Sequence, residues 1–342
     1  MTENILFICG SLNQTTMMHK IAQLLDGYNS FFTSFYADGL ENFAARMDWL
    51  TFSVLGGQHL KATRAYLADN NLPVDFRGKE RDYDLVVTCS DLIVQKNIRS
   101  KRIALVQEGI TEPESWLYKP VKWLKLPRYL ANTATTGLSD AYDIFCVASV
   151  GYRDHFINKG VRPEKIAVTG IPNFDDLASS SQNDFPFHEY VLVATSPLRE
   201  SFRRDNRRAF LHKCVDIAAG RPLIFKLHPT EHGERATREI FRVAPNARVY
   251  TWGNVNHMIA NASVVITQQS TCTFVAIALG KEVYTNLDIQ ELKRLMPMQN
   301  GAVSAHRIAG ICRRLIRTPM PLLQQVRKGS RARPKWEQAD LF

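Results

Sequence analysis

The stretch FKLHPTEHG, residues 225–233, follows an apolar Leu-Ile pair and reads as the end of a buried strand. Its rim carries Lys226, His228, Pro229 and Glu231. A histidine there can donate to a phosphate oxygen, a lysine adds positive charge, and proline fixes the backbone where it leaves the strand. Glu231 is too acidic to face a phosphate closely, so a ribose contact or a helix cap is expected of it. QQSTCT, residues 268–273, is the second such place. A strand ends at Gln268, and Ser270 and Thr271 stand where a helix begins, leaving backbone N–H groups and the positive dipole end for an anion. Glu108 closes RIALVQ before Gly109 and is a candidate general base for a sugar hydroxyl; Asp91, after another apolar run, is the competing carboxylate. The plainer readings are a structural histidine, an ordinary helix cap and solvated loop acids. Neither GxGxxG nor GxxxxGK[ST] occurs, which removes the dinucleotide fingerprint and the P-loop.

These residues need a frame that brings them to one edge. Short apolar runs alternate with helical patterns, the signature of parallel sheet covered by helices. Strands are expected over 5–10, 84–90, 102–109, 143–149 and 165–170, then over 190–196, 222–228, 247–251, 263–268 and 281–285. Residues 171–189, rich in Ser, Asn, Asp and Pro, read as the linker. The expectation is therefore an α/β fold of two Rossmann-like domains facing each other across a cleft. Residues 1–175 would form an acceptor-side domain and 185–310 a nucleotide-donor domain. A basic helix and tail, 311–342, would pack back on the first. Ligands of such sheets bind at the carboxyl ends of the strands. That rule selects Gly10-Ser11, Ser90-Asp91, Gln107 to Gly109, Thr195-Ser196, His228-Pro229 and Gln268 to Thr271.

The 342 residues suit two domains, and 45% apolar composition supports a sizeable core. No stretch approaches the roughly 20 apolar residues that cross a bilayer. The start, MTENILFICG, has an acid where a secretory signal needs basic residues, so a cytoplasmic protein is expected. Six cysteines at 9, 89, 146, 214, 272 and 312 show no CxxC or close Cys/His pairing, which argues against zinc and a disulfide framework. The net charge is +10. Part of it lies in WLYKPVKWLKLPRYL, 116–130, where Lys119, Lys122, Lys125 and Arg128 alternate with Trp116, Tyr118, Trp123 and Tyr129 and no acid intervenes. Rings, leucines and cations together suit an anionic membrane surface, ranked above nucleic acid. A second cluster is Arg313, Arg314, Arg317, Arg327, Lys328, Arg331, Arg333 and Lys335.

The layout resembles bacterial two-domain glycosyltransferases of the GT-B fold, especially those using CMP-activated acidic sugars, the sialyltransferases and capsule Kdo transferases. Those families carry an acidic-acidic-Gly motif, a His-Pro motif and a Ser-Ser/Thr motif. Gln107-Glu108-Gly109, His228-Pro229 and Ser270-Thr271 stand in the same order, with Gln107 departing at the first acidic position. The resemblance implies Glu108 as base and His228, Ser270 and Thr271 as donor binders. Lys226, Gln268, Gly10 and Ser196 are expected nearby. Residues 149–177 are also similar to the joining segment of CDP-glycerol glycerophosphotransferases and nucleotide-sugar 2-epimerases. The resulting expectation is a cytoplasmic glycosyltransferase at the inner membrane face. It would move a sugar from a nucleotide donor, CMP-sugar favoured, to a glycan or lipid-linked acceptor in surface polysaccharide synthesis. No metal or cofactor is required. A CDP-glycerol-type phosphotransferase, a UDP-sugar 2-epimerase and a non-catalytic binding module are the alternatives.

Overall fold

The computed structural model describes residues 2–47, 53–111, 114–200 and 203–329. The chain forms two compact units, residues 1–175 with 297–342 and residues 176–296. The first unit holds a parallel sheet of β1 (Asn4–Cys9), β2 (Asn29–Ser34), β3 (Leu85–Thr88), β4 (Arg102–Val106), β5 (Ile144–Val147) and β6 (Ile166–Val168). Its strand order is β2-β1-β3-β4-β5-β6. The chain starts near the middle, adds β2 on one side, then crosses back and builds outward. The topological switch point therefore lies between β1 and β3.

Runs such as Ile5–Cys9 and Leu85–Thr88 are buried throughout, because helices cover both faces of a parallel sheet. β2 was not expected. Its sequence NSFFTS begins polar and it lies at the sheet edge, half exposed, so it lacks the continuous apolar run of the inner strands. Helix Leu12–Ala22 follows β1, and the Ser11 hydroxyl caps it by accepting from the Gln14 N–H. Helix Val150–Lys159 starts on Ser149 and stops at Gly160, whose φ of 107° is the left-handed conformation that ends helices.

The second unit is a parallel sheet of β7 (Val191–Ala194), β8 (Leu223–Lys226), β9 (Arg248–Tyr250), β10 (Val264–Thr267) and β11 (Glu282–Tyr284). Its order is β11-β10-β7-β8-β9, which puts the switch point between β7 and β10. Val191, Val193, Phe225, Ile240 and Ile266 lie in one core cluster with Leu211 and Cys214 of helix Arg207–Ala218.

The chain re-enters the first unit at Pro297, earlier than residue 311. Buried Asp175 holds the return: its carboxylate accepts from the Ser304 N–H at 2.8 Å and its carbonyl from the Asn300 N–H at 2.9 Å. Helix Ser304–Arg317 then buries Ile308, Ile311, Cys312 and Leu315. Arg327 forks onto both oxygens of buried Asp143 at 2.7 Å each. Arg331, Arg333 and Lys335 of the basic tail lie outside the described residues.

Candidate functional site

At the carboxyl edge of the first unit, β1 ends in Gly10-Ser11 and β4 in Gln107-Glu108. The Ser11 hydroxyl donates to Glu108 Oε1 at 2.8 Å, and the Gln14 amide donates to Glu108 Oε2. Glu108 is thus a partly exposed carboxylate with one donor on each oxygen. His59 lies within its electrostatic reach: burial lowers the imidazole's proton affinity, and the Glu108 charge partly restores it. A Cβ at Gly10 would stand 1.9 Å from Gln14 Oε1.

Gln107 explains its own departure from an acid. It is buried, its amide donates to the Gly109 carbonyl at 2.8 Å, and its oxygen accepts from the Ala148 N–H at 2.9 Å. A carboxylate could not make the first bond. Asp91, the competing carboxylate, is buried and accepts from the N–H groups of Gly137 and Ser139, each at 3.0 Å. Its charge organises a loop rather than standing ready for a substrate proton.

In the second unit, the ends of β10, β7 and β8 bring Gln268, Ser196 and His228 to adjacent positions on one edge. The Ser196 hydroxyl latches the switch point, donating to the Gln269 carbonyl at 3.1 Å and accepting from the Gln269 N–H at 3.2 Å. Gln268 is only 5% exposed, and its side-chain oxygen has no hydrogen-bond partner among the described residues. A buried acceptor left so costs of the order of 1–3 kcal/mol. The His228 Nδ1 accepts from the Thr230 N–H at 3.2 Å, which in an uncharged ring puts the proton on Nε2. Pro229 is exposed in the turn closed by the Glu231 N–H on the His228 carbonyl.

Three expectations change in detail. Lys226 is buried with its ammonium on the carbonyls of Leu227 at 2.9 Å and Thr251 at 3.4 Å, and burial depresses its proton affinity. It braces β8 and β9 instead of reaching the rim. Ser270, not Thr271, makes the cap of helix Cys272–Ala278, its hydroxyl accepting from the Cys272 N–H at 3.2 Å. Thr271 makes no side-chain capping bond. The Glu231 side chain is 3% exposed, accepts from the His228 N–H at 3.0 Å and from the Thr195 hydroxyl, and pairs with Arg207 at 3.2 Å. Burial pushes its carboxyl up, against the opposing pull of Arg207 and Thr195.

Gln14, His59 and Arg207 were not singled out in the sequence. A signal existed for Gln14, since Ser11-Leu-Asn-Gln14 is a capping-box spacing. In the segment 116–130, Trp116, Lys119, Trp123 and Lys125 are exposed. The Lys122 ammonium donates to the Lys159 carbonyl and the Arg128 guanidinium to the Asp91 carbonyl. No helix among the described residues is long and apolar enough to cross a membrane. Nor do three His, Cys, Asp or Glu side chains converge there as a metal ion requires.

No protein-family model matches the chain, and no curated protein sequence does. Solved structures match it along nearly its full length. Staphylococcus aureus MnaA, solved with UDP, is 11% identical with a TM-score of 0.59, the alignment covering 92% of this chain and 97% of that one. UDP-GlcNAc 2-epimerase from Neisseria meningitidis, solved with UDP-GlcNAc, is 12% identical with a TM-score of 0.54 over 91% and 100%. The corresponding enzyme from Methanocaldococcus jannaschii is 14% identical with a TM-score of 0.52 over 91% and 99%. The chain has the fold of these proteins, two Rossmann-like units of GT-B type.

Proposed function

We propose that this protein is an enzyme acting on a nucleotide-activated sugar. The nucleotide would occupy the switch point of the second unit, met by Gln268, Ser270, Thr271 and His228, with Ser196 holding the strand ends in place. Within the first unit, Glu108 is the carboxylate whose orientation by Ser11 and Gln14 suits proton transfer. The observation that carries this reading is Gln268 Oε1, a buried acceptor without a partner at the edge where α/β sheets bind ligands. A ribose hydroxyl or a base N–H supplies the missing donor.

The finer reading is 2-epimerisation of a UDP-sugar. Its support is the shared fold along nearly the whole chain with proteins named as UDP-GlcNAc 2-epimerases or solved with UDP. Inverting a carbon that bears hydrogen requires a proton to leave and another to return. A carboxylate oriented by Ser11 and Gln14, with His59 in electrostatic reach, suits such traffic. A second reading, transfer from a CMP-sugar, is favoured by the order of Glu108-Gly109, His228-Pro229 and Ser270-Thr271. There Glu108 would take the proton of an acceptor hydroxyl only once.

Incubation with UDP-GlcNAc in D2O, followed by proton NMR of the sugar, separates these. Deuterium entering at C2 is expected. If none enters, and CMP but not UDP raises the melting temperature, transfer replaces epimerisation. If no uridine or cytidine nucleotide binds, the nucleotide-sugar reading fails.

A further inference from the structure

We propose that segment 116–130 is a docking surface for an anionic lipid membrane. It carries a run of large side chains in water: Trp116 is 83% exposed, Trp123 74% and Leu124 71%, and Leu126 and Leu130 are exposed as well. Scattered apolar residues are ordinary on a surface, but a contiguous group of this kind marks an interaction site.

The segment is held firmly. Tyr118 and Val121 of helix Tyr118–Trp123 are buried against Ala131 and Ala134. The helix ends with Lys125 in the left-handed conformation, φ 51°, and the Leu126 N–H returning to the Val121 carbonyl at 3.1 Å. A lysine in that conformation costs about 1 kcal/mol that a glycine would avoid. The cost brings a cation to the point where the chain turns, between Leu124 and Leu126.

The four cations divide into two kinds. Lys122 and Arg128 donate to the carbonyls of Lys159 and Asp91 and tie the segment to the unit. Lys119 and Lys125 stand exposed, and the segment itself contains no acid; Glu41, from another element, hydrogen-bonds Tyr129 at its far end and with Asp38 shares a pocket with Lys125. Indole rings sit at headgroup level, leucines reach the acyl boundary and lysines meet anionic headgroups, so charge and shape agree on one occupant. Nucleic acid would match the charge and the rings but leave the leucines in water.

The experiment is co-sedimentation of the full chain with vesicles of phosphatidylcholine alone or of phosphatidylcholine and phosphatidylglycerol in equal parts. Binding to the mixed vesicles only, weakened by added salt, is expected. Lys119→Glu with Lys125→Glu should reduce it at least about tenfold. Trp123→Ser with Leu124→Ser should reduce it similarly without lowering the melting temperature, because both side chains are already exposed. The proposal is overturned if the wild type ignores the mixed vesicles or binds both kinds alike. It is also overturned if either double variant still binds as the wild type does. A dimer that Trp123→Ser dissociates would instead make a second copy the occupant, and a nucleic-acid complex that Lys119→Glu abolishes, without vesicle binding, would make it nucleic acid. None of these outcomes depends on which sugar nucleotide the protein uses.

Discussion

Ser11 and Glu108, 97 residues apart in the chain, meet at 2.8 Å with the hydroxyl donating to the carboxylate. The same hydroxyl accepts from the Gln14 N–H, so one serine starts a helix and orients an acid. This double use fixes Glu108 relative to β1, two strands away in the sheet.

Glu108→Gln keeps the side chain's size and leaves an oxygen for Ser11 to meet. Turnover of the nucleotide sugar should fall between about a hundredfold and ten-thousandfold while the melting temperature stays close to the wild type's. The Glu108 charge raises the proton affinity of His59, so the substitution should also lower the pKa of His59. An NMR titration of the imidazole reads that shift directly. Unchanged turnover would remove Glu108 from the chemistry.

The inner strands were legible because burial on both faces writes itself as unbroken apolar runs, as in Ile5–Cys9 and Val264–Thr267. β2 was not, since an edge strand needs only half of that signal. Glu108, His228 and Gln268 were visible as polar residues ending such runs. The partners that give Glu108 and Glu231 their settings were invisible, because Gln14 and His59 reach Glu108, and Arg207 reaches Glu231, through space from other elements. Lys226 was misplaced for the same reason: its sequence position says strand end, and only the carbonyls of Leu227 and Thr251 say where the ammonium goes. The return at Pro297 likewise depends on Asp175, a non-local partner that no periodicity announces.

Gly10→Ala tests the packing behind Glu108. The new methyl group would collide with the Gln14 side-chain oxygen, so Gln14 must leave its place on Glu108. A loss of about 1–3 kcal/mol in unfolding free energy is expected, as for other overpacked sites. Adding Gln14→Ala should restore part of that loss, which urea denaturation of the single and double variants measures. Absence of recovery would show that the strain lies elsewhere.

Gln268→Met should move stability and binding in opposite directions. The variant fills similar volume and removes the unsatisfied buried oxygen, but it also removes the amide's hydrogen bond to Asp205 at 3.4 Å, so the ligand-free protein should gain less than the full cost of about 1–3 kcal/mol. Nucleotide affinity should fall, because the ligand's donor loses its acceptor. Thermal melts with and without UDP show both signs in one experiment; a parallel loss of both would mean that Gln268 is structural.

The thiols should be slow to react. All six cysteines are free, and burial pushes the thiols of Cys9, Cys214 and Cys312 up to about 12, far from thiolate formation at neutral pH. A chromogenic disulfide reagent should modify these three only after denaturant is added. Rapid labelling of the native protein at any of them would contradict the packing described.

Arg207 and Glu231 form a buried pair, 6% and 3% exposed at their side chains and 3.2 Å apart. Removing one partner of such a pair costs about 3–5 kcal/mol, because the other charge is left buried without compensation. Arg207→Met should therefore destabilise the second unit, by less than that full cost because the Thr195 hydroxyl and the His228 N–H still donate to Glu231. The loss should also depend on pH. Burial already raises the Glu231 carboxyl above its ordinary value of 4.5, and Arg207 is the main influence pulling it back. Without Arg207 the folded protein holds the Glu231 proton to higher pH, while the unfolded chain releases it near 4.5. A group with its folded pKa raised stabilises fully below the unfolded value, and that contribution is lost as pH rises through the folded one. The urea midpoint of Arg207→Met should thus recover toward the wild type's as the buffer is acidified and fall away as pH rises. Adding Glu231→Gln should flatten that dependence. Parallel pH profiles for the variant and the wild type would exclude Glu231 as the source.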